Sequence, residues 1–160
     1  MRNICLILAL VLGLAQSGSA HAFNGTYYVP ESEAKGGEVE PVLAKIESFR
    51  RLNIRVVVPA ECVSSCTLYT LLLRDGLLCA REGATLAFHQ FLRRETRTVN
   101  ADGTPESYWL NPATPEDLRR TWGAYPSSIK SAVLQRSPSG LPEQGNELYI
   151  SASDLGIPPC

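Results

Sequence analysis

Histidine is the scarcest reactive side chain in this 160-residue sequence, with only His21 and His89 present. Any acid/base or metal chemistry beyond residue 21 therefore rests on one imidazole. An excess of charge of either sign is missing too. Fifteen Lys and Arg against sixteen Asp and Glu give a formal net charge of -1, so no broad positive field gathers phosphate backbones. This excludes a general nucleic-acid binder. The sequence carries no nucleotide-type glycine loop, internal repeat or low-complexity tract, and no cofactor is implied. No apolar run reaches the roughly 20 residues that a membrane span requires. What is present, 44% hydrophobic and 19% charged residues, suits one compact domain.

The first 22 residues read as a signal peptide. Arg2 supplies positive charge, Ile4 to Ala15 form a short apolar core, and Ala20-His21-Ala22 is a small-x-small cleavage site. Cleavage after Ala22 leaves a single domain over 23–160 that is periplasmic or secreted, with no membrane span. It retains Cys62, Cys66, Cys79 and Cys160, an even set that favours two disulfides in an oxidising compartment. The same cysteines with His89 form a rival zinc set, but export disfavours thiolate sites and no metal is expected. Four cysteines allow three connectivities.

The expected elements begin with an extended segment at Thr26 to Val29 and a polar stretch ending at Gly36-Gly37. A helix follows to about Arg51, with Pro41 at its first position and Val42, Ile46 and Phe49 at helical spacing. Ile54 to Val58 is a β-branched run typical of a buried parallel strand, stopped by Pro59. Thr67 to Leu73 is apolar almost all round and predicts a core helix opening near Ser64 or Ser65. Leu77 to Ala80 and Thr85 to His89 read as short strands. Arg93 to Pro105 lacks periodicity and reads as a surface loop. Thr114-Pro115-Glu116-Asp117 starts a helix to about Trp122, and a second helix spans Ser127 to Gln135. A loop over Ser137 to Gly145, a strand at Glu147 to Ile150 and a helical turn at Ser151 to Leu155 complete the chain.

Two places concentrate the chemistry: Gly36-Gly37, and the stretch from Cys62 to His89. A strand, a tight turn with serine and then a buried helix present a nucleophile where unpaired amide N-H groups can stabilise an oxyanion. Serines before an apolar run are also common helix caps, and a lone histidine at a strand end is often a satisfied structural residue.

G-G-E-V-x-x-V-L-x-K-I, R-V-V-V-P-A-E-C-V-S-S-C-T-L and A-T-L-A-F-H-Q together resemble the Clp protease proteolytic subunit and its small exported relatives. The resemblance covers about Gly36 to His89. It implies a shortened Clp-protease/crotonase-like α/β fold of stacked strand-turn-helix units, compatible with a homo-oligomer. It places Ser64 as nucleophile, His89 as general base, and Gly37 and Ser65 as oxyanion amides. Near the end, E-L-Y-I-S-A-S-D-L-G-I resembles the segment bearing that family's catalytic aspartate, and puts Glu147 in its place.

Two classes of function follow. One is a serine hydrolase or peptidase acting on a small peptide, ester or thioester. The other is a catalytically silent binding or structural domain that keeps the fold. For the disulfides, Cys66 in the first helical turn and Cys79 in the strand returning beside it are expected to pair, leaving Cys62 for Cys160.

Overall fold

The structure, a computed structural model, describes residues 22–160. The expected signal peptide falls almost wholly on residues 1–21 and so lies outside the described residues. The chain is mixed α/β. β1 (Gly25–Tyr28), β2 (Ile54–Val58) and β4 (Leu78–Ala80) form a parallel sheet in the order β1-β2-β4. β3 (Glu61–Val63) and β5 (Thr85–Phe88) pair in parallel in a second sheet, and β8 (Leu148–Ser151) joins β5 antiparallel. Val56, Val57 and Val58 of the central strand β2, which alternate between its two faces, are all buried, as a β-branched strand covered on both faces requires. Pro59 then ends this strand, and the chain steps directly into the second sheet through β3.

Helix α1 (Glu31–Ala34) is a single turn, and α2 (Val39–Leu52) follows the glycine pair. The latter opens two residues earlier than the proline suggested, at Val39 with Pro41 third. A proline is still tolerated there because N-H groups of the first turn have no intrahelical acceptor. α2 ends at Asn53 in the left-handed conformation, φ 52°. It lays Val42 and Ile46 on the core, in the same buried cluster as Leu68, Leu72, Leu78 and Leu86.

The buried helix opens at Ser64, as expected, but it is a 3-10 helix over Ser64–Asp75. With three residues per turn, Ser64, Thr67 and Thr70 stack on one side. Thr67 Oγ1 donates to the Ser64 carbonyl at 2.6 Å, and Thr70 Oγ1 donates to the Thr67 carbonyl at 2.8 Å. These bonds satisfy hydroxyls that the core would otherwise strand. Gly76, at φ 69°, terminates the helix.

The segment from Arg93 to Pro105 is not a loop. It belongs to a hairpin of β6 (Leu92–Val99) and β7 (Pro105–Pro112) that, among the described residues, pairs with no third strand. Its tip is tied locally: Asn100 N donates to Thr104 O at 2.7 Å, Gly103 takes φ 83°, and Asp102 Oδ1 accepts the Thr104 amide at 2.9 Å. A ribbon outside both core sheets does not need one apolar face, so alternation is absent from its sequence.

Helix α3 (Pro115–Arg120) starts with a reciprocal capping box between Thr114 and Asp117, and α4 (Ser127–Arg136) buries Ile129 and Val133. Both positions match the sequence expectation. Ser151 to Leu155 forms one turn, closed by Leu155 N donating to Ser151 O at 3.2 Å.

Two disulfides form, but not in the expected pairs: Cys62 bonds Cys66, with Cα atoms 5.4 Å apart, and Cys79 bonds Cys160, with Cα atoms 5.1 Å apart. The sharp turn at Ser64 folds the first turn of the 3-10 helix back over β3, bringing Cys66 to Cys62. Cys79 lies in the other sheet. There Ala80 N donates to Pro158 O and Cys160 N to Ala80 O, each at 3.0 Å, which seats Cys160 beside β4. A pairing of Cys66 with Cys79 assumed that helix and returning strand face each other at those residues, which they do not.

Candidate functional site

Ser64, the first residue of the 3-10 helix and directly after β3, has φ 57°, a left-handed conformation that a non-glycine residue avoids. Such strain costs on the order of 1–3 kcal/mol and persists only where the surroundings enforce it. Three features do so here. The Cys62–Cys66 disulfide brackets the turn. Thr67 Oγ1 holds the Ser64 carbonyl, and the fully buried Tyr125 hydroxyl backs Thr67 at 2.6 Å. Thr67 has already given its one proton to the carbonyl, so Tyr125 is the donor in that second bond. Burial pushes the Tyr125 phenol pKa up, keeping it protonated for this purpose.

The third feature is Gly36. A Cβ added there would lie 2.6 Å from Ser64 Cβ and 3.0 Å from the Val63 carbonyl, and φ is 87°. The glycine turn therefore rests directly on the serine turn, and only glycine permits the approach. Gly36→Ala is expected to cost about 2 to 3 kcal/mol, combining clash and backbone strain. Gly76→Ala, at φ 69° but with open space around its Cβ, is the control and should cost about 1 kcal/mol. Urea unfolding of both variants checks the difference. Equal losses would mean that the contact with Ser64 carries no weight.

Gly37, Ser64, His89 and Glu147 line one cavity of about 640 Å³. Its walls come from the start of α2 with Val39 and Leu43, from the base of the hairpin with Phe91 and Leu92, and from α3 with Asp117 and Arg120. Arg120 Nη2 reaches Glu40 at 2.9 Å, tying α3 to α2 along this wall. Ser65 is buried and lines a separate 130 Å³ cavity, which Gly37 also borders.

His89 follows the last residue of β5. Its Nδ1 lies 2.7 Å from the Gln90 carbonyl, and Gln90 N in turn donates to Pro142 O at 2.7 Å. A carbonyl only accepts, so Nδ1 carries the proton and Nε2 keeps its lone pair in the neutral ring. That is the tautomer a general base needs. Glu147 Oε1 accepts the Gly145 amide at 2.9 Å. This bond and the residue's own amide hold the carboxyl below its usual range, with His89 adding a smaller electrostatic pull. Glu147 thus lines the same cavity as the imidazole while its hydrogen bond goes to the backbone; the Gln90 carbonyl fixes the ring's tautomer. Among the described residues, no hydrogen bond joins Ser64 Oγ to His89, and none forms a metal-binding group of His, Cys, Asp and Glu.

Sequence reasoning missed the support of Ser64 by Thr67 and Tyr125. Tyr125 is 58 positions from Thr67, and no motif links them. It also missed the cluster of Tyr27, Glu33, Lys45 and Tyr69 beside the glycine turn, where Tyr27 and Tyr69 both donate to Glu33 at 2.8 Å. No family model matches the chain, and neither the curated proteins nor the solved structures contain a match.

Proposed function

We propose that the chain is an exported serine hydrolase or peptidase with a shortened Clp-protease/crotonase-like fold, acting on a small peptide, ester or thioester. The observation that carries this reading is the positive φ of Ser64 at the head of a buried helix, lining one cavity with a histidine whose Nδ1 is turned to the Gln90 carbonyl, which makes Nε2 the basic nitrogen of the neutral ring. Backbone strain held in place at a serine is characteristic of a presented nucleophile and has no use in a simple cap. Two disulfides and the leader-like first 22 residues support export, and no described helix is long and apolar enough to cross a membrane.

In this mechanism Ser64 Oγ attacks the acyl carbon while His89 Nε2 takes its proton. The tetrahedral oxyanion accepts from the amides of Gly37 and Ser65. His89 then protonates the leaving group, and water, activated by the same nitrogen, releases the acyl group from Ser64. The Gln90 carbonyl keeps the ring oriented, and the ionised Glu147 favours the imidazolium. A cavity of about 640 Å³ suits a short peptide or acyl group rather than a folded protein.

The second reading is a silent binding domain, favoured by the absence of a Ser64–His89 hydrogen bond and by Glu147 being spent on Gly145. Catalytic hydrogen bonds are often long without substrate and tighten on binding. A fluorophosphonate probe separates the two. The hydrolase takes up close to one equivalent per chain, and a silent domain takes up none.

A further inference from the structure

Glu33, which takes no step in the proposed chemistry, gathers donors from three separate elements. Tyr27 on β1 donates to Oε1 at 2.8 Å, and Tyr69 on the 3-10 helix donates to Oε2 at 2.8 Å. Lys45 on α2 forms an ion pair with Oε1 and also donates to Tyr27 Oη at 3.3 Å. Burial pushes the Glu33 pKa up, but the bonds from Lys45, Tyr69 and Tyr27 outweigh it and hold the carboxyl below its usual range. The carboxylate is thereby anchored to β1 and to the helices on both sides of the site.

This anchoring bears on the glycine turn. Helix α1 is one turn long, buries only Ala34, and cannot hold its own position. Glu33 attaches it to β1, α2 and the 3-10 helix. The Glu33 carbonyl accepts the Gly36 amide at 3.0 Å, and Gly36 abuts Ser64. Behind this turn lies the 130 Å³ cavity lined by Glu33, Lys45, Gly37 and Ser65, so the turn has space to relax if its anchor is cut. We infer that Glu33 is a positioning residue: its carboxylate, clamped by Tyr27, Lys45 and Tyr69, sets where the Gly37 amide points relative to Ser64. The inference rests on the hydrolase reading for its catalytic meaning, but not for its structural content.

The test is Glu33→Gln, assayed with a p-nitrophenyl ester of a short acyl chain and by amide hydrogen exchange. An oxyanion amide acts only in the transition state, so kcat should fall roughly 10- to 100-fold with KM unchanged. Exchange at the Gly36 amide, which donates to the Glu33 carbonyl, should accelerate while that of β2 and β5 stays as in the wild type. Tyr69→Phe removes one donor and no charge; it should lower kcat several-fold in the same pattern, and it carries the test if Glu33→Gln fails to fold. Unchanged kcat, a rise in KM alone, or unchanged exchange at Gly36 would overturn the inference. A wild-type chain that neither hydrolyses the ester nor takes up fluorophosphonate overturns the hydrolase reading instead. In that case faster exchange still supports the hold of Glu33 on the turn, and unchanged exchange overturns it.

Discussion

Replacing either Ser64 or His89 with alanine should remove ester hydrolysis and fluorophosphonate uptake to the same extent, and replacing both should be little worse. Nucleophile and base act as one unit, so the losses are strongly non-additive, each on the order of 10⁴- to 10⁶-fold in kcat. Ser65→Ala should retain most of the activity, because that residue contributes its amide rather than its hydroxyl. Glu147→Gln should sit between these extremes. Its carboxylate is bound to the Gly145 amide and reaches His89 only through space, while the Gln90 carbonyl makes the direct bond to the ring. Steady-state rates for the five proteins check this order. Additive losses in the double variant, or a Glu147→Gln defect as deep as that of His89→Ala, would contradict the assigned roles.

The second large effect concerns stability. The Cys79–Cys160 bond closes a loop of 81 positions, and removing it by paired serine substitutions should cost about 4 to 5 kcal/mol in the chain-entropy estimate. The Cys62–Cys66 bond spans only 4 positions and should contribute about 2 kcal/mol by the same estimate. Function should be affected in the reverse order. The short bond encloses Ser64 and enforces its backbone, so Cys62→Ser with Cys66→Ser should slow fluorophosphonate uptake more than the larger destabilisation does. Urea midpoints and labelling rates of the two paired variants, each measured where the protein remains folded, decide the matter. Equal stability losses would reject the loop argument. Faster labelling without the short bond would show that it restrains the serine instead of presenting it.

The parts of this molecule that could be read from its sequence are those whose signals are local. The run Ile54 to Val58 could only be a buried strand, and Thr114 to Asp117 spells out a helix cap in four adjacent residues. Ser64 stood out because a small-residue turn precedes an apolar helix, and His89 because no other imidazole lies beyond residue 21. The hairpin over Leu92–Val99 and Pro105–Pro112 escaped because a ribbon outside the core leaves no alternating pattern. Disulfide partners were misassigned for a related reason. Pairing depends on which sheet each strand joins, and β3 and β4 belong to different sheets. Glu33 was the least visible of all, because its importance comes from residues 27, 45 and 69, which the fold alone brings together.

The 3-10 character of the Ser64–Asp75 helix is a further case. Hydrophobicity all round its surface signals burial but not pitch. Ser64, Thr67 and Thr70 carry the period of three, with the two threonine hydroxyls bonding back one turn to the carbonyls of Ser64 and Thr67. In a helix of 3.6 residues per turn the same three residues would drift around the axis.

The central claim is that Ser64 is a nucleophile held in a strained turn, and the most direct measurement is the site of covalent modification. Wild type and Ser64→Ala would be treated with a fluorophosphonate and mapped by peptide mass spectrometry. One adduct on Ser64 in the wild type, with none anywhere in Ser64→Ala, is the predicted result. An adduct on Ser65, or equal labelling of the two proteins, would contradict it.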